Sequence, residues 1–184
     1  VIASDIHGSA HWCRKMLERF AAESEGFAPG EVRLLLLGDV LYHGPRNDLP
    51  EAYAPKEVIA MLNPLRESLF CVRGNCDTEV DQMVLDFPVL ADYAVISLDE
   101  RIIYATHGHI YNEGSLPPLS KGDILLNGHT HIPKYTEYKD YVYMNCGSVS
   151  IPKENSPHSY MISENGSFYW KELESGAVYN QFKY

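Results

Sequence analysis

Apolar positions recur along this chain with two different periods. From Ala10 to Ala22, Trp12, Met16 and Phe20 form a stripe with Cys13, Leu17 and Ala21 beside it. That is the spacing of an amphipathic helix, and Ser9 is placed to cap it. A second helix fits Pro55–Glu67, with Pro55 in its first turn and Val58, Ile59, Leu62 and Leu65 turned inward. A short third helix around Glu79–Leu85 is stopped by Pro88. Between them lie strand-length apolar runs at Val1–Ser4, Val32–Leu37 and Leu69–Arg73. The leucine-rich second run suits a strand buried on both faces.

After Pro88 the texture changes. Tyr93–Leu98, Arg101–Thr106, Asp123–Asn127, Tyr135–Glu137, Tyr141–Met144, Ser159–Ser163, Ser167–Leu173 and Val178–Phe182 read as strands. Asp99-Glu100, Lys139-Asp140 and Glu164-Asn165-Gly166 are the expected hairpin turns. Alternating strands and helices followed by a strand-rich half favour parallel pairing first and mixed pairing later. The expected architecture is α/β: a four-layer α-β-β-α sandwich of two mixed sheets with flanking helices, as one domain over residues 1–184. The one long irregular stretch, Leu41–Ala54, is rich in Pro, Gly and Asn, as functional loops often are.

Composition narrows the function. A 184-residue chain with 45% hydrophobic residues fills one core. A formal net charge of −10, with no Lys/Arg-rich run, argues against nucleic-acid backbones and anionic membranes as partners. Cys13, Cys71, Cys76 and Cys146 form no CxxC pair, which reads as reduced thiols in the cytoplasm. No transmembrane-length span or signal peptide is visible. Because the chain starts with Val, a few residues of the first strand are expected to precede it, without room for a targeting segment. The tyrosine-rich second half could supply a homo-oligomer interface.

Five short polar clusters each follow an apolar run: Asp5-Ile6-His7, Gly38-Asp39, Gly74-Asn75-Cys76-Asp77, Thr106-His107-Gly108-His109 and Gly128-His129-Thr130-His131. Read on strands, residues two apart point to one side, so Asp5 with His7, and His129 with His131, can share an ion. Asp39 follows four leucines, at the carboxyl edge of a strand, where α/β sheets bind ligands. It is the lone acid between paired sets and so the natural bridge between two ions. Singly, each cluster is no more than a turn or a core histidine; together they hold the donors of a two-metal hydrolytic centre.

The order DxH…GD…GNCD…HGH…GHTH, from Asp5 to about Lys153, resembles the calcineurin-like metallophosphoesterase superfamily. Within it, His43–Asn47 with Tyr53–Pro55, and Asn145–Lys153 set against an NPGSVSIPK stretch with Cys146 in place of proline, resemble the bacterial YfcE-type phosphodiesterases. The resemblance implies that Asp5, His7 and His131 hold one divalent ion, that Asn75, His107 and His129 hold another, and that Asp39 bridges them. Manganese is the expected metal; iron, zinc, cobalt and nickel suit the same donors. The implied reaction is hydrolysis of a small phosphodiester by metal-activated hydroxide. The alternatives are a phosphomonoesterase and a non-catalytic protein-interaction scaffold of the same fold.

Cys76 stands where many members of the superfamily carry a histidine facing the substrate phosphate. A thiol there donates only a weak hydrogen bond, which favours good leaving groups; the competing role is a small buried thiol. Asp77 is expected to orient a ligand or its neighbour. Arg46 is a candidate phosphate contact, and Arg73 another unless it is held in an ion pair. His43 could reach the site from its loop. His109 is expected to lie behind the ligands, and His11 and His158 on the surface.

Overall fold

The computed structural model describes residues 1–98 and 101–183. The first half alternates as expected: β1 (Ile2–Ala3), α1 (Ala10–Glu23), β2 (Leu34–Leu36), α2 (Pro55–Leu62), β3 (Leu69–Cys71) and α3 (Glu79–Gln82). The second half is strands: β4 (Ala94–Leu98), β5 (Arg101–Ala105), β6 (Asp123–Asn127), β7 (Lys134–Glu137), β8 (Tyr141–Asn145), β9 (Ser159–Glu164), β10 (Ser167–Glu172) and β11 (Val178–Lys183).

These strands make two mixed sheets. One has the order β11-β10-β9-β1-β2-β3 and the other β4-β5-β6-β8-β7. Strands β1, β2 and β3 run parallel, as do β5, β6 and β8. Period-two alternation explains how the layers stack. Leu35 and Leu37 face a core between the sheets with Ile124, Leu126, Met144, Met161 and Trp170. Leu34 and Leu36 face the other way, onto Trp12 and Met16 of α1 and Val58 and Leu62 of α2. The outer face of the second sheet carries Tyr104, Leu125 and Tyr143. Tyr111 and Leu119 cover it from an irregular segment, so the flanking helices pack on the first sheet.

Local chemistry sets the element ends. Ser9 caps α1, its Oγ accepting from the Trp12 N–H at 3.2 Å. The expected Pro55–Glu67 helix stops at Leu62 and continues as a 3₁₀ turn over Asn63–Ser68. Pro64 lacks the N–H that would bond back to the carbonyl of Ala60. Helix α3 ends before Leu85 because the Gln82 amide turns to the chain beyond it, bonding the carbonyls of Leu85 and Phe87 and the Val89 N–H. Asn165 (φ 49°) and Gly166 (φ 73°) form the two-residue turn joining β9 and β10. Lys139-Asp140 joins β7 and β8, closed by Tyr138 N–H to the Tyr141 carbonyl at 2.9 Å. Asp99-Glu100 falls outside the described residues.

One expectation needs correction. His158 is half-buried, its ring stacked on Trp12 at 3.5 Å and 10°. His11, also partly buried, meets the same indole edge-on at 4.8 Å. Neither is a plain surface residue: the indole face left uncovered by the core attracts both rings.

Candidate metal centre

All five polar clusters follow the carboxyl ends of parallel strands: Asp5 and His7 after β1, Asp39 after β2, Asn75 after β3, His107 after β5, and His129 and His131 after β6. The two sheets therefore deliver their loops to one edge of the sandwich. The side chains do not converge by strand alternation, as the sequence reading supposed. The strands have already ended, and Asp5, His7, Asp39, His129 and His131 all have left-handed backbones, with φ between 48° and 66°. Five of the seven expected ligands thus sit in a conformation that costs of order 1–3 kcal/mol each.

Two groups of donors result. Asp5 Oδ1 lies 3.2 Å from His131 Nε2 and 3.5 Å from His7 Nε2, and the two imidazole nitrogens are 3.3 Å apart. Around His107 Nε2 stand Asn75 Oδ1 at 3.2 Å and His129 Nδ1 at 3.1 Å. Between them, Asp39 Oδ2 is 3.7 Å from His7 Nε2 and 3.5 Å from His107 Nε2. The other Asp39 oxygen accepts the Cys76 N–H at 2.8 Å, so only Oδ2 is left to face both groups.

The donor set fits a cation. Asp5 Oδ1 is buried and has no hydrogen-bond partner, because Oδ2 alone accepts the His129 N–H at 3.0 Å. Three rings have their tautomer set from behind. His7 Nδ1–H donates to the carbonyl of Tyr42 at 2.8 Å, His107 to Leu37 at 2.6 Å and His131 to Ile151 at 2.6 Å. A carbonyl can only accept, so each Nε2 keeps its lone pair toward the cluster. The charges in this cluster act on one another. Burial alone would raise Asp5, but the His131 and His7 rings beside Oδ1 hold it well below the usual carboxylate range. Burial opposes protonation of His107, yet Asp39 and Asp5 raise it to about 9. His129 goes the other way, to about 4, through burial and the charge of His107.

The flanking residues divide. The Asp77 carboxylate accepts the N–H groups of Gly74, Asp39 and Val40 at 2.7–2.9 Å, tying the loop after β3 to the loop after β2. It holds Asp39 in place by its backbone. The Cys76 thiol is buried beside Asp39; burial and that charge raise it, so it stays neutral. It accepts from Asn75 Nδ2 at 3.3 Å, which turns Oδ1 toward His107. Arg73 Nε donates to the Asp77 carbonyl at 3.3 Å, and its guanidinium lies 3.9 Å from the Glu79 carboxylate. Arg46 is exposed on its loop. The His109 ring lies 5.4 Å from that of His107 and 6.2 Å from that of His129. The His43 ring lies edge-on to those of Tyr42 and Tyr53.

Sequence reasoning missed several parts of this frame. Gly74 is obligatory, since a Cβ there would overlap Asp39 Oδ1, and at Gly128 one would overlap Ser4 Oγ. The signal was present, because each glycine immediately precedes a ligand in its cluster. Ser148 and Ser150, whose hydroxyls reach the Asp5 carbonyl, gave no signal beyond their place in the Asn145–Lys153 stretch.

Comparison with known proteins decides the family. Residues 1–166 match the calcineurin-like phosphoesterase superfamily domain. The chain belongs to that superfamily. Membership places it among metal-dependent phosphoester hydrolases. The chain is 45% identical over 165 residues to phosphodiesterase YfcE of Escherichia coli K12, covering 90% of this chain and 86% of that one. The solved structure of YfcE, a phosphoesterase from E. coli, superposes with a TM-score of 0.91 at 42% identity, covering 98% of this chain and 96% of the other. Wild-type Vps29 of Entamoeba histolytica, solved in complex with Zn²⁺, shares the fold at a TM-score of 0.57 and 19% identity, covering 98% and 96%.

Proposed function

We propose that this calcineurin-like phosphoesterase is a phosphodiesterase acting on a small diester with two divalent ions, manganese first among them. Asp5, His7 and His131 would hold one ion, Asn75, His107 and His129 the other, and Asp39 both. The observation that carries this reading is Asp39 Oδ2, 3.7 Å from His7 and 3.5 Å from His107, with its partner oxygen pinned by the Cys76 N–H. When bound, such a pair supplies an activated water and positive charge for the phosphoryl oxygens. The chain's own part is to aim lone pairs from carbonyl-anchored imidazoles, to hold Asp39 through Asp77, and to present a neutral thiol beside the phosphate.

Two considerations favour a diester over a monoester. A dianionic terminal phosphate needs additional cationic donors, and Arg73 is already engaged with Glu79 and the Asp77 carbonyl. The remaining candidate, Arg46, is exposed on the Leu41–Ala54 loop. Against the scaffold reading, every expected ligand position here carries a metal-competent side chain. Four buried free thiols agree with a reducing, cytoplasmic setting. The test is turnover of manganese-reconstituted protein against paired aryl phosphodiesters and monoesters. Diester hydrolysis abolished by chelation and restored by metal is expected; preference for the monoester contradicts the assignment.

A further inference from the structure

The segment that begins at the last residue of β8 grips the Asp5 and His131 loops of the proposed centre, one from each sheet. From it, Ser148 Oγ–H and Ser150 Oγ–H both donate to the Asp5 carbonyl, at 3.1 and 2.9 Å, and the Ser150 N–H approaches the same oxygen at 3.3 Å. One step back, Val149 N–H donates to the Ser4 carbonyl at 2.9 Å. The same segment holds His131: its Nδ1–H donates to the Ile151 carbonyl at 2.6 Å, and the Lys153 N–H returns to the His131 carbonyl at 3.2 Å. At its start, Asn145 Nδ2 donates to the Gly128 carbonyl at 2.6 Å.

Asp5 and His131 come from different sheets and share one ion position, whereas Asn75 and His107 make no hydrogen bond to this segment among the contacts described above. Both residues have positive φ, 60° and 62°, so neither would hold its orientation without support from outside its own loop. Ser148 is completely buried and Ser150 nearly so, and each has its hydroxyl on the one carbonyl. Ser148 Oγ also accepts the Ile151 N–H at 2.9 Å, so one hydroxyl ties the Asp5 carbonyl to the residue whose own carbonyl anchors His131.

We propose that Asn145–Lys153 is a clasp that selectively sets the affinity of the Asp5/His7/His131 ion position, with Ser148 and Ser150 as its positioning residues. This rests on the two-ion reading above. In holding Asp5 by its carbonyl, the serines fix the direction of Oδ1; in holding His131 by Nδ1, the segment fixes Nε2.

The test is titration of metal-stripped protein with Mn²⁺, followed by the electron paramagnetic resonance of the free ion, alongside melting of the metal-free protein in chelator. Wild type should show two binding events. Ser148→Ala/Ser150→Ala should weaken one by about 10–100-fold, the usual effect of removing an outer hydrogen bond to a ligand, and leave the other unchanged. Ser150→Thr, which keeps the hydroxyl, should restore most of the loss relative to Ser150→Ala. Crystals soaked at intermediate Mn²⁺ should then show anomalous signal beside His107 and none beside His131. Should the double variant fail to fold, Ser150→Ala alone carries the comparison. Two wild-type events with no change in the variants, or equal weakening of both events together with a lower melting temperature, would overturn the clasp and leave the two-ion reading standing. Fewer than two ions in wild type would overturn both.

Discussion

Cys76 bears the most specific chemistry of any single residue here. Its thiol is buried, neutral and hydrogen-bonded by Asn75, so it orients a donor and supplies no positive charge to a departing alcohol. Rate should therefore depend steeply on leaving-group acidity across a series of aryl diesters. Cys76→His should flatten that dependence, since a positioned general acid contributes about 10²–10⁴-fold where protonation limits the rate. Poor leaving groups should gain most. Space adds a condition: a Cβ on Gly44 would lie 3.2 Å from the sulfur, so the larger ring requires the loop to yield. Identical rates and slopes in wild type, Cys76→Ala and Cys76→His would reduce position 76 to packing. Residue types were legible at this scale, because Asp, Asn and His at strand ends have few other uses in such number. Their left-handed backbones were not, because Asp5 is held there by contacts with His129 and Ser148, more than a hundred positions away.

At the level of elements, the positions of the strands along the chain and the cap of α1 followed from periodicity, since strand-length apolar runs and a Ser before an apolar stripe are local signals. The end of α2 was legible too, in Pro64, had its missing N–H been given weight over the apolar spacing. The packing of His158 on Trp12 was not, because it joins α1 to the segment before β9. That contact has a pH consequence. Burial lowers the His158 pKa below its ordinary value, and its Nδ1–H already serves the Val149 carbonyl at 2.8 Å. A histidine with a depressed folded pKa contributes stability that is fully present above the unfolded value, about 6.5, and is lost as pH falls toward and through the folded one. Wild type should therefore lose melting temperature on acidification below pH 6.5 more steeply than His158→Phe. Titration of the His158 ring by NMR should give a midpoint below 6.5. Equal slopes together with an ordinary midpoint would remove this residue from the acid response.

Across the whole molecule, two sheets bring the carboxyl ends of their parallel strands to one edge, and the loops beyond supply every donor. Sheet pairing across the chain was legible only as a class; the irregular cover over Tyr104, Leu125 and Tyr143 was not, because Tyr111 and Leu119 carry no periodic signal. Among the described residues no helix is long and apolar enough to cross a membrane. What unites the architecture is Asp39, held by Asp77 through its backbone and by the Cys76 N–H through one oxygen, so that the other faces both donor groups. The most direct test is the metal content of wild type and Asp39→Asn after equilibration with Mn²⁺, read beside diester turnover and circular dichroism. The expected result is two ions per chain in wild type. The variant should keep its fold, lose most of its metal and lose at least about 100-fold in rate, the scale for removing one electrostatic contact from a transition state. A folded variant with wild-type metal content and turnover would contradict a centre bridged by Asp39.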